Sequence, residues 1–168
     1  MRSPEMGMGS PEQKTPEQKQ QMITELGSLL HDEWRAPRKQ EDGSFEPRIK
    51  KTKDESWKAA HGVEEVDIAN TSFAELPADW QGENRAAAEV AMNAVFQAAE
   101  SGLALNEAFV EEASAKVHDK WLERNGEWAP AEQKKPFGEL AEEEKEKDRV
   151  QVRKAIGIFE ASKQIAKK

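Results

Sequence analysis

One short pattern in this chain occurs twice and restricts what the chain can fold into. His31-Asp32-Glu33-Trp34 in the first half is matched by His118-Asp119-Lys120-Trp121 in the second. The shared histidine and tryptophan are both offset by 87 residues (118 − 31 and 121 − 34). The same offset relates the apolar pairs Ile23/Val110, Leu26/Ala113 and Leu30/Val117. This spacing predicts a similar amphipathic helix in each half.

A second set of matched residues lies further along the chain at a different offset. The pairs separated by 64 residues (137 − 73 for the first) are Phe73/Phe137, Glu75/Glu139, Leu76/Leu140 and Arg85/Arg149. The fall in offset from 87 to 64 means that the second half lacks 23 residues (87 − 64) of the connection found in the first. The pattern indicates two helix–connection–helix units, of which the first has the longer connection.

A unit of this kind cannot bury its apolar faces alone, so two units are expected to pack against each other. We predict a mainly α fold of two pseudo-symmetric helix–connection–helix repeats packed together, with minor short β-strands in the first connection. Residues 1–14 are predicted to be a disordered leader. The first unit is expected at 15–100 with a long insertion at 36–72, and the second at 104–168, the whole forming one compact domain.

Local signals place the ends of several helices. Thr15-Pro16-Glu17-Gln18 combines a capping hydroxyl, a proline at the first helical position and a glutamine three residues after the cap. Apolar residues at helical spacing continue to Trp34, and Pro37 predicts the end of this helix. Asn106 is expected to cap a later helix. Further elements are expected at 44–49 and 66–68 (extended) and at 53–61, 83–99 and 139–166 (helical).

The composition excludes several classes of site and partner. The chain has a net charge of −8 at pH 7 and no cysteine, so disulfides, thiolate nucleophiles and cysteine-ligated metals are excluded. An acidic protein repels phosphate backbones, and no stretch approaches the roughly 18 apolar residues of a membrane-spanning helix. We therefore expect a cytoplasmic protein with no general nucleic-acid binding, no membrane partner, no metal and no cofactor. Its oligomeric state is left open.

The second half contains motifs that resemble a known family. Val117-His118-Asp119-Lys120-Trp121 is followed by Phe137-Gly138-Glu139-Leu140 and by the charged run 142–149. This arrangement resembles the ryanodine-receptor-type repeat, or RyR domain, in which a His-x-x-Trp-like helix end precedes a Leu-Pro-Glu-Glu-Glu-Lys-Glu-Lys-Asp/Asn-Arg-like helix start. The first half has similar residues at His31, Trp34, 43–48 and 76–77. The resemblance covers most of residues 20–165.

The chain departs from the family pattern in two respects. It has no tyrosine, and its second unit lacks the strand segment that the family carries in the connection. In the receptors such repeats occur as tandem pairs, with helices flanking short strands, and serve as peripheral interaction modules. The resemblance implies a non-catalytic binding module of bacterial or phage type that binds a protein partner.

The paired histidines His31 and His118 could be chemical or structural groups. Imidazole titrates near neutral pH and could act as an acid, a base or a ligand, but each histidine lies on a helix face that is expected to be packed. We favour a structural role in which each histidine hydrogen-bonds the neighbouring connection. The sequence has no metalloprotease, P-loop, nucleophile-elbow or dinucleotide-binding motif, so a histidine-based hydrolase is the least favoured hypothesis.

A basic tract in residues 35–53, with aromatic residues interleaved, is the main alternative site. Its arginines and aromatic rings could bind an anionic, nucleotide-like small molecule, whereas the competing interpretation is a solubilising loop balanced by its own carboxylates. The candidate ligand-binding residues are His31, Trp34, Arg35, Phe45, Arg48, Trp57 and Arg85, with His118, Trp121 and Arg149 as repeat equivalents. No catalytic residue is assigned. The alternative function is a phage or mobile-element protein that captures such a ligand or inhibits a host protein.

Arg85 and Arg149 occupy equivalent positions in the two units, which suggests that they share a role. We predict salt bridges from these arginines to Asp32 and Asp119, joining the two helices of each unit. A ligand-binding role is the alternative.

Overall fold

The architecture is that of a computed structural model, which describes residues 14–166 and the side chains as far as residue 162. The predicted leader at 1–14 lies, except for Lys14, outside the described residues. The long helices are α1 (Pro16–Arg35), α3 (Ala78–Glu100), α4 (Glu107–Asn125) and α5 (Glu142–Ala166). The connection after α1 contains β1 (Ile49–Lys51), the short helix α2 (Glu55–His61) and β2 (Glu65–Asp67). The prediction of a mainly helical fold with minor β-structure in the first connection is confirmed.

Helix α1 begins where the capping signal predicts. The Thr15 hydroxyl accepts a hydrogen bond from the Gln18 backbone N–H at 3.1 Å, and the Gln18 side chain accepts one from the Thr15 N–H at 2.8 Å. This reciprocal pair satisfies two N–H groups that the first turn would otherwise leave unpaired. The helix ends at Arg35 and is followed by a 3₁₀ turn, Ala36–Arg38. This turn contains Pro37, which cannot continue an α-helix. Asn106 caps α4 through its side-chain oxygen, which accepts a hydrogen bond from the Phe109 backbone N–H at 3.0 Å.

The four long helices share one hydrophobic core. Helices α3 and α5 pack against each other, and α1 and α4 each contact both of them. Small residues on α3, including Ala88 and Ala91, are fully buried, so neighbouring helices can approach closely. The buried rings of Phe96 and Phe159 meet edge to face, with their centroids 6.2 Å apart. None of the helices in the described part of the chain combines the length and apolar character needed to cross a membrane.

The first connection has a second, smaller hydrophobic cluster. Strands β1 and β2 are antiparallel, with Lys50 opposite Val66. The cluster comprises Val66, Ile68, Phe73 and Leu76, with Trp57 and Trp80 packed against it. The first strand begins later than the predicted segment 44–49, because Phe45 forms only an isolated bridge with Lys39 and Pro47 cannot donate to a ladder. The connection is therefore an ordered subdomain on one side of the helices, with its own apolar interior.

Candidate binding groove between the helices

The two motif histidines are buried and make the same kind of contact. His31 is 2% exposed, and its Nε2–H donates to the Thr71 carbonyl at 2.7 Å. His118 is 4% exposed, and its Nε2–H donates to the Lys135 carbonyl at 2.6 Å. A carbonyl oxygen can only accept, so the proton is assigned to Nε2 in both rings. The hydrogen bond predicted from each histidine to its neighbouring connection is present.

Each histidine also orients the tryptophan that follows it. The rings of His31 and Trp34 stack with centroids 5.9 Å apart, and those of His118 and Trp121 stack at 6.2 Å. Burial lowers the pKa of His31 below its ordinary value, and the hydrogen bond that the ring donates to the Thr71 carbonyl opposes this only in part. The His31 ring is therefore neutral at physiological pH, and its hydrogen bond holds it in the position in which Trp34 stacks on it.

Four of the predicted ligand-binding residues lie together at the end of α1. They are His31, Trp34, Arg35 and Phe45. The Arg35 guanidinium lies 4.6 Å from the centroid of the Phe45 ring, and it also hydrogen-bonds Asp32 and the Ala69 carbonyl. Much of its donor capacity is thus used within the protein.

The remaining predicted residues do not join that group. The Arg48 side chain is exposed. Its backbone N–H donates to the Asp67 carboxylate, and its C=O accepts from the Ile68 N–H. Trp57 donates to the Glu75 carbonyl and stacks on His61, and it packs within the smaller cluster. Arg85 donates to the Gln20 side chain near the start of α1.

The predicted salt bridges from the equivalent arginines are wrong. Arg149 pairs with Glu111 on α4, as well as with Glu142 and Glu146 on its own helix. Asp32 is paired with Arg35, its neighbour on α1. Arg149 does join α4 and α5, the two helices that it was predicted to link, but through Glu111, a carboxylate two turns before Asp119. The reach of a long arginine side chain depends on how the helices cross, which the sequence pattern did not specify.

A groove of about 450 Å³ opens where α1, α3, α4 and α5 meet. Trp34 and Trp121 both line it, together with apolar residues such as Leu30 and Leu140. Trp128 extends the aromatic surface next to the groove: it is 65% exposed and meets Trp121 edge to face, with centroids 5.8 Å apart. The groove therefore brings together the tryptophans of the two matched motifs.

The polar lining of the groove is centred on α5. Asp148 is only 9% exposed, and burial raises its pKa to about 7, with a further contribution from the negative charge of Glu144 that Lys147 partly opposes. The nearest ring nitrogen is Nδ1 of His118, which lies 3.7 Å from Oδ2, too far for a hydrogen bond. Gln151, one turn later, also lines the groove. Its Oε1 is buried and has no hydrogen-bond partner among the described residues.

The indole N–H groups of the groove tryptophans have no acceptors within the described chain. Trp57, Trp80 and Trp128 donate to the Glu75 carbonyl, the Lys51 carbonyl and the Asn125 side chain, respectively. Neither Trp34 nor Trp121 has such an acceptor among residues 14–166. The two tryptophans that line the groove thus retain free donors beside the carboxylates of α5.

Sequence reasoning missed the polar side of this groove. Asp148 lies in a run of charged residues that indicates an exposed helix face. However, Asp148, Val152, Ala155 and Phe159 follow each other at helical spacing, and the last three are fully buried. That spacing could have predicted that Asp148 lies on the buried face of α5.

The described residues contain no group of three or more histidine, aspartate or glutamate side chains placed to hold a metal ion. The arrangement offers binding chemistry: aromatic surface, free N–H donors and a buried carboxylate. No protein-family model matches the chain, and comparisons with curated proteins and with solved structures find no significant similarity.

Proposed function

We propose that this protein is a non-catalytic binding module, similar to tandem RyR repeats, that holds a segment of a partner protein in the groove between its two halves. The two halves are proposed to be related units that diverged mainly in their connections. The groove is formed by helices from both, so neither unit has the whole site.

Matching contacts in the two halves support the proposal of related units. In each half a buried histidine donates to a carbonyl of the connection and stacks on a tryptophan three residues later. In each half a 3₁₀ turn with a buried phenylalanine, at Phe73–Glu75 or Phe137–Glu139, then precedes the second long helix. Independent origins would not be expected to reproduce this order of contacts.

The main support for a binding function is the groove and the tryptophans that line it. Tryptophan is enriched among the residues that dominate binding energy at protein interfaces, especially where it borders a pocket. Trp34 is 37% exposed and Trp128 is 65% exposed, although both are large enough to contribute strongly to a core. A concave site of this size suits one or two side chains of a bound segment.

Selection from a random peptide library on the full chain would test this function. Asn84 lines the groove, and Asn84→Trp is expected to fill it, whereas Asn93→Trp places the same side chain on an exposed part of the same helix. Peptides selected on the wild type should bind the Asn93→Trp variant with unchanged affinity. They should lose at least about tenfold in affinity, or 1.4 kcal/mol, for the Asn84→Trp variant. Peptides that bind both variants equally would show that the groove is not the binding site.

An anion site at the end of α1 is the second candidate function, and one observation favours it. The Arg38 guanidinium lies 4.6 Å from the centroid of the Trp34 ring and pairs with no carboxylate among the described residues. A nucleotide-like anion could bind there and stack on the same aromatic group. A thermal-shift panel of nucleotides should then raise the melting temperature of the wild type but not of Arg38→Ala. A flat panel would exclude this candidate.

A further inference from the structure

We propose that the group entering the groove is positively charged, an arginine or lysine side chain of the partner protein, and that Asp148 is its anionic anchor. This inference rests on the proposed binding function and specifies the chemistry of the bound segment. It reverses the charge expected from the basic tract, which predicted an anionic ligand.

The charges that line the groove favour a cation. The carboxylates are Glu33 from α1, Glu83 from α3, and Glu144 and Asp148 from α5. Facing them are Lys147 and, when protonated, His118. Lys154 and Arg124 neutralise two of these carboxylates from outside the lining, so the net negative charge of the groove comes from Asp148. That charge attracts a basic group and repels an anionic one.

Asp148 is the one of these carboxylates with no lysine or arginine partner among the described residues; its neighbour is the His118 ring, with Nδ1 3.7 Å from Oδ2. Glu33 pairs with Lys154 at 3.2 Å, Glu83 with Arg124 at 3.2 Å, and Glu144 with Lys147 at 3.1 Å. These three pairs involve partly exposed side chains, which contribute little net free energy and can rearrange.

Asp148 differs because it is buried and its oxygens accept no hydrogen bond within the described part of the chain. A buried carboxylate is costly to ionise without a partner, and an incoming guanidinium or ammonium group supplies that partner.

The other free polar groups suit a basic residue within a polypeptide. Gln151 Oε1 is a second unpaired acceptor one turn from Asp148. This atom is buried, so a rotation of the Gln151 side chain towards the groove would give the planar guanidinium of an arginine two acceptors. The indole N–H groups of Trp34 and Trp121 are donors, and the carbonyl groups that flank a basic residue in a peptide are their complement. A free polyamine shares the charge but has no carbonyl group to accept from them.

Charge complementarity also predicts a pH dependence of binding. A cation binds the ionised form of Asp148. At a pH where the free protein has this carboxyl protonated, binding should therefore release a proton. The charged and titratable groups facing the site are Glu33, Glu83, His118, Glu144 and Lys147. Loss of the proton from Asp148 makes the groove more negative. Affinity should therefore rise as pH increases from 6 to 8.

The test is a titration of the ¹⁵N-labelled full chain, followed through the indole N–H signals of its five tryptophans. The probes are acetyl-Gly-Arg-Gly-amide, its neutral citrulline analogue, and spermidine. The variants Trp34→Phe and Trp121→Phe assign the two groove signals. The arginine peptide should shift the Trp34 and Trp121 signals and leave those of Trp57 and Trp80 unchanged. The citrulline peptide should bind at least tenfold more weakly.

Two aspartate variants supply the matched comparison. Asp148→Asn removes the charge in the groove, and Asp119→Asn makes the same change at an exposed position outside it. The first should weaken binding of the arginine peptide about tenfold and abolish its pH dependence, whereas the second should change neither.

Three results would overturn the inference: equal binding of the citrulline peptide, unchanged binding by Asp148→Asn, or spermidine as the tighter ligand. The peptide selection described above separates this failure from failure of the binding function. If the groove-specific peptides contain no basic residues, the proposed binding function stands and the proposal of a cationic ligand is wrong. If the selection yields no groove-specific peptide, both proposals are wrong.

Discussion

At the scale of single residues, the charge state of Asp148 should control how stability responds to pH. Its pKa is raised to about 7 in the folded state by burial, against about 3.9 for an unperturbed aspartate. A raised folded-state pKa contributes stability that is complete below the unfolded-state value. That contribution is lost as pH rises towards 7, because the folded state then has to ionise a buried group.

The variant Asp148→Asn mimics the neutral carboxyl and should remove this penalty. At pH 8 the variant is expected to unfold at a higher denaturant concentration than the wild type, by on the order of 1–3 kcal/mol in free energy. At pH 4.5 the two proteins should differ little. Urea unfolding at both pH values checks this, with Asp119→Asn as control. A variant less stable than the wild type at pH 8 would show that the His118 contact outweighs the cost of burial.

His31 should have the opposite pH dependence. Burial lowers its folded-state pKa, so its contribution to stability is complete above the unfolded-state value of about 6.5 and is lost as pH falls through the lower folded-state value. His31→Gln keeps a donor for the Thr71 carbonyl but does not titrate. Its stability relative to the wild type, measured by urea unfolding, should therefore improve as pH falls from 7 to 5. Parallel pH profiles for wild type and His31→Gln would contradict this assignment.

At the scale of elements, the success of sequence reasoning depended on how local the deciding interaction is. The caps at Thr15 and Asn106 use side chains within three residues of the groups they bond, so the sequence alone predicted them. Strand β1 was displaced from its predicted position because its partner lies more than a dozen residues away, and pairing register is a tertiary property. The burial of Asp148 was missed for the same reason: a neighbouring helix, not its charged neighbours in sequence, determines it.

The contact between α1 and the Phe73 turn provides an element-scale prediction. A Cβ added at Gly27 would lie 3.1 Å from Cζ of Phe73, whose ring is buried, whereas one added at Gly157 on α5 would meet nothing within 4 Å. Alanine favours a helix interior over glycine by up to about 1 kcal/mol, so Gly157→Ala should stabilise the protein by about that amount. Gly27→Ala should instead destabilise it by about 1 kcal/mol, because overpacking outweighs the helix preference.

Urea unfolding of the two alanine variants measures both effects under the same conditions. Stabilisation by Gly27→Ala would mean that the Phe73 ring moves aside at little cost. The matching position in the second half is Ser114 (27 + 87), which is fully buried. Its hydroxyl has no hydrogen-bond partner among the described residues. A small residue thus occurs at this point of both first helices, as expected if the units are related and each packs closely against its connection.

At the scale of the whole molecule, the two hydrophobic clusters should unfold as one unit. The main core lies among the four long helices and the smaller cluster lies in the first connection. Phe73 of the smaller cluster lies against Gly27 of α1. The Asp54 carboxylate accepts hydrogen bonds from the Trp57 N–H in the first turn of α2 and from the Ala78 N–H at the start of α3. Because these contacts tie the connection to the helices, neither cluster can lose its packing without disturbing the other.

A matched pair of leucine variants tests this coupling. Leu26 is fully buried in the main core, so Leu26→Ala should cost about 2–5 kcal/mol, whereas Leu103→Ala, at a position 61% exposed, should cost less than about 0.5 kcal/mol. Far-UV circular dichroism follows the long helices, and tryptophan fluorescence also reports on Trp57 and Trp80 in the smaller cluster. In Leu26→Ala the two signals should shift together to one lower midpoint. If the circular dichroism transition instead came before the fluorescence transition, the connection would fold independently of the long helices.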